Sequence, residues 1–242
     1  MKKISMLTLL AAVSCGATVH AGAMGAADSV PCLSSFFLLE GGYAENQLKG
    51  YDYSLTGMNG HLKSKEKNTN YAGRLGAGML RAVTEEFAVS SEIGYGIYGR
   101  TKHTPSAIDP AYLNVQNTIN GFDALAGIAY TDIDWSIFLK AGALVETRTT
   151  KTTSDFTVFN LPLVVAVFNE TVHHTAVLPE IKIGGAYNFD PNWAVTLAYL
   201  HAFGASPKTT GDINVTTNKI TFNNDQLNPS VDAVLVGIQV TV

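Results

Sequence analysis

Acid–base chemistry in this chain would have to come from six histidines: His20, His61, His103, His173, His174 and His201. A histidine two residues from a serine on a strand would bring base and nucleophile to one face. None of the six has a serine two residues after it. His173-His174-Thr175 comes nearest, and a threonine in such a stretch is first of all a strand former. Adjacent strand residues point to opposite faces, so His173 and His174 do not converge on one metal ion. Phosphate-cradling glycine loops and paired CxxC motifs are absent as well. The expectation is a non-enzymatic protein without catalytic residues, metal or cofactor.

A second set of charges recurs more regularly. Glu40, Arg74, Glu92, Lys140, Glu180 and Lys182 each sit among glycines and alanines in stretches whose alternate positions are apolar. The stretch Phe122 to Arg148 displays the arrangement. Phe122, Ala124, Ala126, Ile128 and Tyr130 form one apolar set, and Ile137, Leu139, Ala141, Ala143 and Val145 a second. Thr131 to Asp134 separates them as a tight turn. The opposite face carries Asp123, Gly127, Ser136, Lys140, Gly142 and Glu146. Period-two alternation of this kind specifies strands with one apolar and one mixed face.

Eight such segments follow one another. They lie over Ser34 to Asn46, Asn70 to Val83, Phe87 to Arg100, the two arms of the Phe122 hairpin, His173 to Tyr187, the run from Trp193, and the run ending at Val242. Long polar connections, Gln47 to Thr69, Thr101 to Asn117, Thr149 to Val172 and Ala205 to Asn228, alternate with short turns. Tyr130, Trp135, Tyr187 and Trp193 then gather near the short-turn rim as an aromatic girdle. The expected fold is all-β, an eight-stranded antiparallel up-and-down transmembrane barrel. The size of the residues assigns the faces. Small residues interleaved with opposed charges fill an eight-stranded interior, and the large apolar set suits lipid. The inward charges are expected to form a stabilising network in the lumen.

Composition agrees. Hydrophobic residues make up 46% of the 242, charged residues only 15%, and 22 are glycine. No apolar run reaches the length of a membrane helix. Lys2 and Lys3, the apolar stretch Ile4 to Val13, and Val19-His20-Ala21 read as a cleaved export signal over residues 1–21; Ala12-Val13-Ser14-Cys15 is a competing lipoprotein site. Residues 22–33 are a periplasmic lead-in and 34–242 the barrel. Cleavage after Ala21 removes Cys15 and leaves Cys32 as a free thiol or an intermolecular bridge. It also takes two lysines from a chain of net charge −4, which argues against nucleic acid as a partner.

An export signal followed by eight alternating segments resembles the small OmpA/OmpX-type outer-membrane barrels. Gly22-Ala-Met-Gly25 with Pro31-Cys32 resembles the major outer-membrane proteins of legionella-type bacteria. The resemblance implies residence in the outer membrane of a Gram-negative bacterium, contact with outer-membrane lipids and lipopolysaccharide, and a structural or adhesin-like surface role. A small pore and, further off, a barrel enzyme acting on lipid are the alternatives; such enzymes carry the His-x-Ser pair missing here. The chain departs from the pattern in ending on Val242 rather than on an aromatic residue. Oligomerisation is left open.

The connections offer the candidate surface contacts. Lys63, Lys65 and Lys67 form a mildly basic patch in the first. In the fourth, Val215, Ile220 and Phe222 belong to alternating runs that keep strand character beyond the expected membrane boundary, and Val164 to Phe168 is apolar in the third. These runs predict either strands that continue past the bilayer as a protruding sheet, whose edge pairs with a strand of a host-surface or matrix partner, or apolar segments that fold back over the barrel mouth or meet a neighbouring subunit.

Overall fold

The computed structural model describes residues 33–48, 51–56, 61–105, 111–157, 165–206, 209–214, 219–224 and 227–242. The export signal, Cys32, Val215 and nearly all of the lead-in lie outside them. Eleven strands run in chain order: β1 Leu33–Asn46, β2 Tyr51–Thr56, β3 His61–Ala82, β4 Phe87–Pro105, β5 Ala111–Thr131, β6 Trp135–Thr157, β7 Val165–Asp190, β8 Trp193–Ala202, β9 Thr209–Asn214, β10 Lys219–Asn224 and β11 Val231–Thr241. Eight of them, β1, β3 to β8 and β11, form the expected barrel. Each pairs antiparallel with its neighbours, and β1 closes the ring by pairing with both β11 and β3. Closure leaves no open edge along the membrane-spanning stretch.

One rim holds the start of β1, the carboxyl-terminal Val242 and the three short turns, stitched to one another by main-chain hydrogen bonds. Ser35 and Val242 exchange N–H···O=C bonds at 3.0 and 2.8 Å, Thr131 donates to Glu86, Asn188 to Asp134 and Thr241 to Asn192. Side chains fix the turns locally: the Asp132 carboxylate accepts from the N–H of Ile133, and Asp190 from that of Asn192.

The faces alternate as the sequence predicts. Phe37, Leu39, Leu75, Ile93, Ile128, Leu139, Val195, Val236 and Ile238 are exposed, while the intervening positions are buried. At the short-turn rim Tyr130 stacks between Phe87 and Trp135, with ring centroids 5.4 and 5.6 Å away. Trp135 is the register neighbour of Tyr187, and Trp193 is exposed beside Val240. A second girdle lies towards the other rim. Tyr43 faces Tyr71 across β1 and β3, the Tyr95 and Phe122 rings are 4.6 Å apart, and Tyr199 is exposed.

Two expectations are corrected. The four polar connections are largely strand: β3, β5, β6 and β7 run for 22, 21, 23 and 26 residues, far beyond the outer girdle. Beyond that girdle β2 pairs antiparallel with the start of β3 and parallel with β9, which turns back on β10. Above the girdle the buried inward positions are mostly polar, among them Thr101, Asn117, Thr150 and Thr152, so these strands lack the apolar alternation that marks the membrane segments. The second correction is Arg100, which strict alternation over Phe87 to Arg100 puts on the mixed face with Ser90, Glu92, Gly94 and Gly96. Gly99 adopts φ 86° at a register shift between Ile97 and Arg100. This bulge inserts a residue and flips the alternation. Arg100 is exposed and Thr101 is buried in its place.

Candidate functional site

The lumen brings the predicted charges together. Arg74, on β3, is the centre. Its guanidinium makes a two-pronged contact with Asp123 on β5, Nε to Oδ2 at 2.8 Å and Nη2 to Oδ1. Its Nη1 lies 2.8 Å from Glu40 Oε2 and 2.5 Å from Glu92 Oε1. Lys182 Nζ reaches the same two carboxylates at 2.9 and 3.0 Å, and Lys140 pairs with Glu92 Oε2. Glu92 therefore holds three cations at once. Buried charges persist when each has hydrogen-bonded counter-charges, and a planar guanidinium suits several carboxylates. Space for this cluster comes from glycine: a Cβ on Gly94 would stand 2.4 Å from Arg74 Nη2.

Glu180 behaves differently from the other five predicted charges. It is buried in the same lumen, but neither carboxylate oxygen has a hydrogen-bond partner among the described residues. Asp123 belongs to the network although the sequence singled out only its strand face; a carboxylate on that face, level with Arg74, was the available signal. Tyr98, whose hydroxyl lies 3.5 Å from Asp123 Oδ2, shares the parity of Glu92, Gly94 and Gly96, and that alternation was the signal that could have placed it in the lumen.

Apolar layers seal the charges above and below. Towards the outer rim, Tyr98, Ile119, Leu144, Leu178, Leu200 and Leu235 pack into one buried cluster. Towards the short turns, Phe36 and Phe138 face Lys140 Nζ with centroids at 5.1 and 4.7 Å, and Phe138 packs with Ala129 and Ala198. The lumen at these levels is a packed core built from the mixed face, as eight strands require.

Beyond the outer girdle the chemistry changes. Thr150 donates to Asn117 at 2.7 Å, Thr101 to Asn46 at 3.0 Å, and Thr149 meets His173 Nδ1 at 3.0 Å. Burial, and then the Arg148 charge, push the His174 imidazole below its ordinary range. On the outer wall Asp232 accepts from Tyr199 and lies 2.7 Å from His201 Nδ1, and His201 stands edge-on to Phe203 at 4.3 Å. This interfacial cluster was not anticipated, because its members lie 31 residues apart and meet only through the β8–β11 register. The predicted surface contacts prove to be strand positions. Lys63 pairs with Asp52, Lys65 with Thr104 and Lys67 with Lys102 on β3, while Ile220 and Phe222 lie opposite Ile213 and Gly211 in the β9–β10 hairpin. Val215 falls outside the described residues.

No family model matches this chain, and neither does any curated protein. Solved structures similar to it include Ail, the attachment invasion locus protein of Yersinia pestis, in complex with the heparin analogue sucrose octasulfate. That match has 12% identity, covers 86% of this chain and 99% of that one, and gives a TM-score of 0.39. The outer membrane protein OprG from Pseudomonas aeruginosa matches at 10% identity over 86% and 96% of the two chains, TM-score 0.43. The outer membrane protease OmpT from Escherichia coli matches at 9% over 88% and 94%, TM-score 0.43. The architecture rests on the chain's own ladders: an eight-stranded antiparallel β-barrel with an exposed apolar belt.

Proposed function

We propose that this chain is an outer-membrane surface-interaction protein of a Gram-negative bacterium, exported by its amino-terminal signal. In this reading it engages host-surface or matrix partners with the part of its sheet beyond the outer girdle. One observation carries the proposal. Five contiguous strands, β3 to β7, continue past the girdle and are joined there by β2, β9 and β10, although the barrel closes without that addition. A purely structural barrel has no use for so much extra sheet. The filled lumen supports a surface role over a pore: Arg74, Lys140 and Lys182 are paired with Glu40, Glu92 and Asp123, and apolar layers lie on both sides of them.

Deleting Asp212 to Phe222 from the full chain tests the proposal. The expected product is a folded, heat-modifiable barrel that remains silent in planar-bilayer conductance while cells displaying it lose adhesion to host matrix. Undiminished adhesion would remove the β9–β10 hairpin, though not the rest of the extension, from the account. Steady channel conductance from the wild type would favour a pore, and altered lipid A masses in expressing cells would favour an enzyme.

A further inference from the structure

β7 is the longest strand, and its two edges are treated differently. β6 pairs with it continuously, from Trp135↔Tyr187 to Thr157↔Val165, with no break in register. On the other side β8 pairs with it only between Asp190 and Glu180. The last contact there is the N–H of Phe203 donating to the Pro179 carbonyl at 2.8 Å. From Leu178 up to Val165, no described strand pairs with β7 on that side.

That last hydrogen bond identifies which groups stand open. Along a strand the N–H and C=O of one residue point to the same side, and the side alternates from residue to residue. The Pro179 carbonyl points towards β8, so the odd-numbered residues above it point away from β6. Val177, Thr175, His173, Thr171, Asn169 and Val167 therefore direct their main-chain donors and acceptors to the open side. Pro179 has no N–H to offer, and it sits where the β8 ladder stops.

Natural edges are usually blunted by charge, proline or a bulge. Between Val165 and Val177 the only formal charge is Glu170, with no proline and no register shift. Val165, Val167, Thr171, Val172, Thr175 and Val177 are β-branched. Because β6 holds the strand extended already, an incoming chain has only its own ordering to overcome.

We propose that the upper half of β7 is a strand-addition site for an extended, uncharged polypeptide segment of another protein. The proposal rests on the surface-interaction reading above and deepens it by naming the edge and the class of partner. A polypeptide is the occupant because the edge presents amide donors and acceptors repeating every second residue, about 6.6–6.8 Å apart. Another extended main chain returns that row in register. The near-absence of charge on the edge selects an uncharged partner, since a charged strand would lose hydration without gaining a counter-charge.

The test uses the full chain in detergent micelles, with a fluorescent peptide of alternating Thr and Val as probe. Thr171→Pro and Thr175→Pro each delete one open-side N–H and leave the β6 ladder intact, as Pro179 does in the same register. Each is expected to weaken binding about tenfold or more, with heat-modifiable migration unchanged. If a proline variant does not fold, the wild type decides alone: methylating alternate amides of the peptide should abolish binding. Equal affinity of folded proline variants and wild type, equal affinity of methylated and plain peptide, or no binding by the wild type would each overturn the proposal. So would a wild-type dimer in light scattering that Thr171→Pro dissociates, since the occupant would then be a second copy. Removing Asp212 to Phe222 should leave peptide binding intact. Its effect on adhesion therefore reports separately on the surface role.

Discussion

Below Pro179 and above it, β7 is one strand in two situations. Below, both edges are paired, one face meets lipid and the other carries Lys182 into a network of opposed charges. Above, one edge is open and the hydrogen-bonding side chains are mainly threonine, asparagine and histidine. The lower region directs its polar groups at itself, as a low-dielectric interior demands. The upper region keeps main-chain groups available. The difference separates the part that maintains the barrel from the part free to meet something else. Damage below should be read in stability, and damage above in binding.

The largest expected effect is at Glu92. Glu92→Gln leaves Arg74, Lys140 and Lys182 sharing fewer carboxylates in a buried site, and should destabilise the barrel by about 3–5 kcal/mol in denaturant unfolding from lipid vesicles. Adhesion per folded molecule should not change. Next comes Ile93→Arg, on the lipid face, with a loss of roughly 2–4 kcal/mol if the position lies at the bilayer midplane. Gln239→Arg, on the lumen side near the short-turn rim, should be milder, and the reverse ranking would invert the faces. Gly94→Ala should follow at about 1–3 kcal/mol, because the added methyl meets the Arg74 guanidinium.

The smallest effect belongs to the upper region. His174 titrates below its ordinary range in the folded chain, so the unfolded chain binds its proton more readily. The sign follows from linkage: its contribution is complete above the unfolded value near 6.5, and stability falls as the pH drops through that value. The protection of amides in the upper part of β7, after correction for the slower intrinsic exchange at lower pH, should therefore fall between about pH 7.5 and 5.5. His174→Gln should remove the dependence, and the lower part of β7 should not share it.

The membrane half of the molecule was legible because burial in lipid and in the lumen imposes a period of two on the residues. The eight segments, the face of each and the six lumen charges follow from it, and five of those charges meet in one network. Glu180 reaches the lumen without joining the hydrogen bonds, since parity fixes a face and not a partner. Arg100 was misplaced because one residue at positive φ, Gly99, shifts the alternation, and glycine is too common on this chain to flag the bulge. The upper strands were hidden for a different reason. Their inward positions are buried yet largely polar, as Thr101, Asn117, Thr150 and Thr152 show, and the composition resembles a loop. Val164 to Phe168 and the run around Ile220 gave the one hint of strand there.

The central claim is that the open half of the sheet faces the outside of the cell while the short turns lie within. Single cysteines in a Cys32→Ser background test it directly. A membrane-impermeant maleimide should label His173→Cys on intact cells and Glu85→Cys only after the outer membrane is permeabilised. Labelling of Glu85→Cys alone on intact cells would turn the barrel over and contradict the account.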